Sequence, residues 1–214
     1  LERRFGIDNE IIGAAELQAL APALSGDMLG AEYAPEEGKI NPLKATYGVL
    51  NAARAMGARF HRGASVQRIE KAGSSWRIST SRGEIQAGII INAAGPWSRE
   101  VAAMVGVDLP VHSAPLQMIV TETAPVLVKQ LVAHADRHLS LKQAATGGLI
   151  IGGGWTASYD DKRRFNTTLR QSVEGNLWVA QRVLPQMQGL AERLHLYSVQ
   201  STVKRLSGAR GRLQ

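Results

Sequence analysis

Residues 84–105, EIQAGIIINAAGPWSREVAAMV, constrain the fold more than any other stretch of this chain. Ile89, Ile90 and Ile91 form a short apolar run, and Asn92 to Pro96 form a turn of small residues. An apolar run bounded by turn signals reads as a buried strand. The pattern predicts a strand over Glu84 to Asn92, a connection over Ala93 to Pro96 and a helix from about Trp97. A strand that feeds a helix through Ala93, Ala94 and Gly95 brings bare backbone to the helix N-terminus. Unpaired N–H groups and the positive end of the helix dipole suit an anion such as a pyrophosphate there. The same residues also serve a tight packing corner, and the pattern alone leaves both readings open.

The rest of the chain alternates short strands with helices. A helix is predicted over Ala14 to Leu20, ended by Pro22, and a strand over Leu29 to Tyr33. Pro42 sits at an N1-like position of a second helix whose face runs through Leu43, Tyr47, Leu50, Arg54 and Met56, with Gly57 as its stop. Ala58 to His61 reads as a short strand. Val66 to Glu70, Trp76 to Thr80 and Glu84 to Ile91 read as a meander, with turns at Gly73-Ser74 and Arg82-Gly83. Pro115 to Thr123 and Arg137 to Gln143 read as longer strands, and Gly147-Gly148 as a hairpin turn into Leu149 to Gly152. Thr167 to Leu184 is the longest predicted helix, with an apolar stripe of Leu169, Val173, Leu177, Ala180 and Leu184. The fold class expected is α+β, related to α/β, with mixed sheets rather than repeated βαβ units.

Bulk composition excludes several classes. No run of about 18 apolar residues exists, so no membrane span is expected. The opening LERRFGIDNE is too charged for a signal-peptide core. The absence of cysteine excludes disulfides and thiolate metal sites and matches a cytoplasmic setting. His134 and His138 form H-x-x-x-H, but Ala135 stands where the zinc-protease motif has Glu, so no metal is expected. Residues 190–214 hold five Lys or Arg against Glu192 alone, +4 of the chain's +7. With Tyr197 as its one aromatic residue, that tail is a thin footprint for nucleic acid, and none is expected as a partner.

The ordered set of motifs over roughly Phe5 to Pro185 resembles the FAD-dependent oxidoreductases of the D-amino-acid oxidase and glycine–sarcosine oxidase type. The parts are the strand G-x-x-V-x-x-I (Gly63, Val66, Ile69), the corner N-A-A-G-x-W-S (Asn92 to Ser98) and the turn G-x-x-L-P-V (Gly106 to Val111). LQMIVTE (Leu116 to Glu122) and GGLIIGGGW (Gly147 to Trp155) follow. The resemblance implies a partial FAD-binding domain over 1–108 with a helical lead-in over 1–33. It implies an incomplete mixed-sheet substrate domain over 109–189 and leaves 190–214 as an atypical basic tail. It also implies an amine or amino-acid substrate and, as in some members, other oxidoreductase subunits as partners.

Two features of the family are missing. No G-x-G-x-x-G occurs, and that turn holds the pyrophosphate of the dinucleotide. The flavin-covering T-P-D-G-like segment is also missing, and its place is taken by the tail, which shows no strand alternation or helical stripe. Because the chain opens on Leu1, we expect a fragment of an oxidoreductase, inactive alone and binding FAD weakly or not at all. The alternative is a non-catalytic binding or scaffold domain that keeps the substrate-domain fold and no flavin.

The resemblance also assigns residues. Val66 would meet the adenine through its backbone. Ala93, Ala94 and Gly95 would lie against phosphate or ribose, where a larger side chain would clash, and Trp97 would stand near the same region. On the substrate side a cation must hold a carboxylate. Alternation along Arg137 to Gln143 puts His138, Ser140 and Lys142 on one face. Lys142 is the candidate cation, His138 its neighbour and Gln117 a weaker candidate. A plain core valine, a packed helix-start tryptophan and a solvated basic strand remain open readings for these residues.

Overall fold

The computed structural model describes residues 2–160, 162, 165–188, 190 and 195–205. In chain order its elements are β1 (Glu10–Gly13), α1 (Ala14–Leu20), β2 (Gly30–Tyr33), α2 (Pro42–Ala55), β3 (Val66–Ala72), β4 (Ser75–Thr80), β5 (Gly83–Ala87) and α3 (Ser98–Ala103). They continue with β6 (Val111–Thr123), β7 (Val132–Ala133), β8 (Ser140–Gln143), β9 (Gly148–Gly152), β10 (Ser158–Asp160), β11 (Phe165–Thr167), α4 (Arg170–Val183) and β12 (His195–Arg205). Helices and strands are mixed as expected, and the pairings β1–β2, β3–β4, β4–β5, β6–β9, β9–β8, β8–β7 and β10–β11 are antiparallel. The chain divides into two compact units, residues 1–40 with 115–199, and residues 41–114 with 200–214.

The first unit is built on a sheet of order β12-β6-β9-β8-β7. β6 and β12 each run across the division between the units. One face of the sheet carries the core: Ile119, Leu141, Leu149 and Ile151 are fully buried and pack with Val173, Val179, Ala180 and Val183 of α4 and Leu17 of α1. Each such aliphatic side chain contributes about 1.5–3 kcal/mol when fully buried. The buried stripe of α4 is Ser172, Val173, Asn176, Val179, Ala180 and Val183. It is rotated from the expected one, because Leu169 is the exposed N-cap and Leu177 is only half-buried. Asn176 faces the sheet, its Nδ2 donating over 3.5 Å to the Ile151 carbonyl, and a polar residue at the centre of a buried face hides that face from a hydrophobic count. The hairpin at Gly147 is present, with φ of 95° at that glycine.

The second unit holds α2, the meander β3-β4-β5 and α3. α2 starts and stops where the sequence predicts. Asn41 Oδ1 accepts from Lys44 N–H, Pro42 is the first helical residue, and Gly57 adopts a left-handed φ of 97°. No residue of α2 is buried, and Leu43, Tyr47 and Val49 are exposed. The meander has the expected turns, with Ile69 paired to Ile78 and Ile78 to Ile85.

Three expectations are corrected. The last meander strand ends at Ala87, so Ile89 to Ile91 lie outside any strand, and Ile89 and Ile91 are 82% and 86% exposed. A strand exists only against a hydrogen-bonded neighbour, and none among the described residues pairs with this run. Ala58 to His61 is likewise not a strand. In the tail, residues 195–205 form β12 beside β6, where the sequence suggested no strand. LYSVQSTV is rich in residues that favour strands, and the open edge of β6 supplies the pairing. The remaining tail residues, except Leu190, lie outside the described residues.

Candidate functional site

The corner after Ile91 is held by its own side chains. Asn92 Oδ1 accepts from Ala94 N–H at 3.2 Å, and Asn92 Nδ2 donates to the Ser98 carbonyl at 2.8 Å. Gly95–Trp97 forms a 3-10 turn in which Trp97 N–H bonds the Ala94 carbonyl and Ser98 N–H bonds the Gly95 carbonyl. Ser98 Oγ donates back to the Gly95 carbonyl at 2.7 Å. These bonds occupy the N–H groups of Ala94, Trp97 and Ser98. With α3 only six residues long, little of a helix-terminus anion site remains. What the corner does offer is access. Ala93 and Gly95 are exposed, Gly95 has φ of 55°, and a Cβ built on it meets nothing within 4 Å.

Val66 opens β3, an edge strand of its sheet, so backbone groups turned away from β4 have no strand partner among the described residues. Its side chain is 36% exposed. The loop before it is pinned, since Ser81 N–H bonds the Ser65 carbonyl and Ser81 Oγ bonds the Gly63 carbonyl. Behind the corner lies an apolar cavity of about 530 Å³, lined in part by Ile69, Trp76, Asn92, Gly95, Ser98 and Ala102. The cavity brings the corner, the meander and α3 to one place. Ala93, Ala94 and Trp97 stand beside it without lining it. The open corner and the edge of β3 thus leave exposed backbone groups beside the cavity.

The substrate-side candidates lie in the other unit. Burial alternates along β8, with Leu141 and Gln143 buried and Ser140 and Lys142 half-buried on the face away from α4. Lys142 stands opposite Ile150, which stands opposite Val120, and Ser140 stands opposite Gly152. None of the ion pairs between described residues involves Lys142. The sequence placed His138 on the same strand, but β8 begins at Ser140 and His138 lies exposed in the preceding bend. There Gly153 crosses so closely that a Cβ on it would stand 2.3 Å from Leu139 N, and Leu139 N–H turns back to the Arg137 carbonyl at 2.8 Å while the Leu139 carbonyl accepts from His134 N–H at 3.2 Å. Trp155 Nε1 donates to the His138 carbonyl at 2.9 Å and fixes the bend.

Gln117 is fully buried, and its Oε1 accepts from Leu169 N–H at 2.8 Å at the start of α4, so it faces the core and not a substrate. Its β-strand setting concealed this, because alternation does not say which face is covered. Gln143 went unassigned in the sequence reading, yet it is the most connected side chain of this unit. Lys39 Nζ donates to the Gln143 carbonyl at 2.8 Å, a long-range contact without a local sequence signal. Among the described residues no three His, Asp or Glu are placed to hold a metal ion, and no helix is long and apolar enough to cross a membrane.

Residues 1–207 match the FAD dependent oxidoreductase family, and the chain belongs to that family. FAD is the cofactor of the family. The chain is 34% identical over 117 residues to the mitochondrial dimethylglycine dehydrogenase of Rattus norvegicus, covering 54% of this chain and 14% of that protein. It is 28% identical over 156 residues to sarcosine oxidase subunit beta of Arthrobacter sp, covering 70% of this chain and 38% of that one. It thus spans well under half the length of these relatives. Two solved structures share the fold. L-proline dehydrogenase from P.horikoshii superposes with a TM-score of 0.85 at 21% identity, covering all of this chain and 58% of its own. Glycine oxidase from Geobacillus kaustophilus gives a TM-score of 0.77 at 20% identity, covering 93% and 52%.

Proposed function

We propose that this chain forms part of an enzyme that oxidises the C–N bond of an amino acid or secondary amine of the glycine, sarcosine, D-amino-acid or opine type. The observation that carries the reading is Lys142, a half-buried cation outside every described ion pair, on the sheet face that also carries Ser140 and, aligned across the strands, Ile150 and Val120. The substrate carboxylate binds the Lys142 ammonium, a charge-assisted contact. Val120 and Ile150, aligned with it across the sheet, exclude water and pack on the substrate's carbon skeleton. His138, in the bend before β8, is a rim group. Ala93, Ala94 and Gly95 would lie against the ribose end of FAD with Trp97 near the same region, and the backbone of Val66 against the adenine. When bound, FAD supplies the acceptor for the hydride that leaves the substrate α-carbon.

The 214 residues hold no G-x-G-x-x-G, so the pyrophosphate contacts of that turn come from residues other than these. A relative named as a subunit, sarcosine oxidase subunit beta, supports working contact with other oxidoreductase subunits. The second reading is a flavin-free binding domain that keeps the substrate-domain fold.

The test is anaerobic flavin reduction by glycine, sarcosine, dimethylglycine and proline in the FAD-loaded protein, compared with Lys142→Met. Loss of a charged hydrogen bond costs about 1.5–3 kcal/mol, so the substrate KM rises roughly 10- to 150-fold, and Lys142→Arg restores part of it. An unchanged KM in Lys142→Met removes Lys142 from the site. A protein that takes up no FAD under any loading supports the second reading.

A further inference from the structure

The exposed face of α4 carries a feature that amine oxidation does not use. Trp178 is 52% exposed although it is a large aromatic residue. The guanidinium of Arg182 lies 4.0 Å from its ring centroid and that of Arg137 lies 5.7 Å away. Arg137 comes from the bend before β8 and Arg182 from the last turn of α4, so the fold brings both to one indole. Neither guanidinium takes part in an ion pair between described residues. The nearest acid along the helix, Glu174, is bonded to Arg170 at 2.6 Å, which also raises the pKa of that arginine.

We propose that this face docks an acidic segment of a partner polypeptide. A guanidinium stacked on an indole keeps its N–H edge free and pre-oriented for a bidentate carboxylate. Trp and Arg together are the residue types that dominate interface energetics. Two guanidiniums beside an aromatic residue fit a short stretch carrying two carboxylates and an apolar side chain. A nucleic-acid backbone calls for a longer row of cations. A second copy of this chain is disfavoured by charge, since each copy carries +7. The inference rests on the reading of this chain as working with other subunits. Its test needs neither flavin nor substrate, so the two readings fail separately.

The probe is a deca-glutamate peptide carrying one leucine, titrated against the protein by calorimetry at low salt and again at 0.3 M salt, as an order-of-magnitude choice above the physiological screening range. Arg137→Gln and Arg182→Gln are each expected to weaken binding roughly 5- to 20-fold, and Trp178→Ala by a similar factor. Lys44→Gln, in the other unit, is expected to leave binding unchanged, and unshifted melting temperatures check that each variant folds. Equal affinity in the double arginine variant overturns the proposal, as that result makes the peptide a nonspecific counter-ion. Tighter binding of a ten-residue oligothymidylate than of the peptide overturns it in favour of nucleic acid. A dimer in sedimentation that Arg182→Gln dissolves overturns it in favour of a second copy.

Discussion

Gln143 shows how much a single side chain can organise. Its Oε1 accepts from Leu127 N–H at 2.8 Å and Val128 N–H at 3.3 Å, and its Nε2 donates to the carbonyls of Ala124, Pro125 and Gly147. The residue is 4% exposed, so all these partners lose their bond in a dry place if the amide is removed. A buried donor left unpaired costs about 1–3 kcal/mol. Gln143→Leu is therefore expected to destabilise the protein by about 2–6 kcal/mol, summed over two orphaned N–H groups. At about 2–4 °C per kcal/mol for a chain of this size, the melting temperature falls by roughly 4–24 °C. Lys142→Met, one residue away on the open face, should shift it by about 1–2 °C, as surface changes do. Circular dichroism melts of the two variants side by side check this. A Gln143→Leu protein that melts with the wild type would show that the clamp does not hold the loop. No local signal marks the clamp, since its partners span positions 124 to 147.

Among the elements, β12 reverses an expectation. The basic tail suggested an appendage whose removal leaves stability unchanged, within about 0.5 kcal/mol. A strand over His195–Arg205 at the edge of the sheet beside β6 changes that expectation. Removing it strips β6 of its ladder on that side, where each backbone hydrogen bond has a net worth of about 0.5–1.5 kcal/mol. The bared edge also becomes a template for aggregation. Truncation after Gln188 is therefore expected to lower the melting temperature by several degrees, on the order of 2–4 °C per kcal/mol lost, and to raise light scattering. A truncated chain with an unchanged melt and clear solutions would return the tail to an appendage. α2 and the corner were legible because their signals are local. Asn41, Pro42 and Gly57 bracket α2, and the Asn92 side chain closes the corner within six residues. The Ile89 to Ile91 run misled because apolar composition records what a segment would bury, not whether a neighbour is there to bury it.

For the molecule as a whole, the family assignment and the residues present bear on cofactor affinity in opposite directions. The open corner and the β3 edge offer contacts to the adenosine end, but no G-x-G-x-x-G is present to cradle the pyrophosphate. That turn normally supplies several charge-assisted backbone hydrogen bonds, each worth about 1.5–3 kcal/mol. The 214 residues by themselves are expected to bind FAD with a Kd weaker than about 1 μM, equivalent to −8.2 kcal/mol. Flavin fluorescence titration measures it, and sub-micromolar binding would mean that these residues make the pyrophosphate contacts in another way. The candidate residues themselves divide between the units, with Val66 and the corner in one and Lys142 and His138 in the other.

The sequence by itself determined the family, the meander with its turns, the bounds of α1 and the caps of α2, and the Gly147 hairpin. Each of these is set by residues within a few positions of one another, or by an ordered set of short motifs. Tertiary structure alone decided which face of α4 is buried, that Gln117 and Gln143 point inward, that His138 leaves the strand, and that β12 finds an edge. Those outcomes depend on hydrogen-bond and packing partners brought in from tens of residues away: Leu169 for Gln117, the 124–128 loop for Gln143, and Gly153 for the bend at His138. A polar residue is placed in the core by the groups that satisfy it, and those groups become its neighbours only when the chain folds.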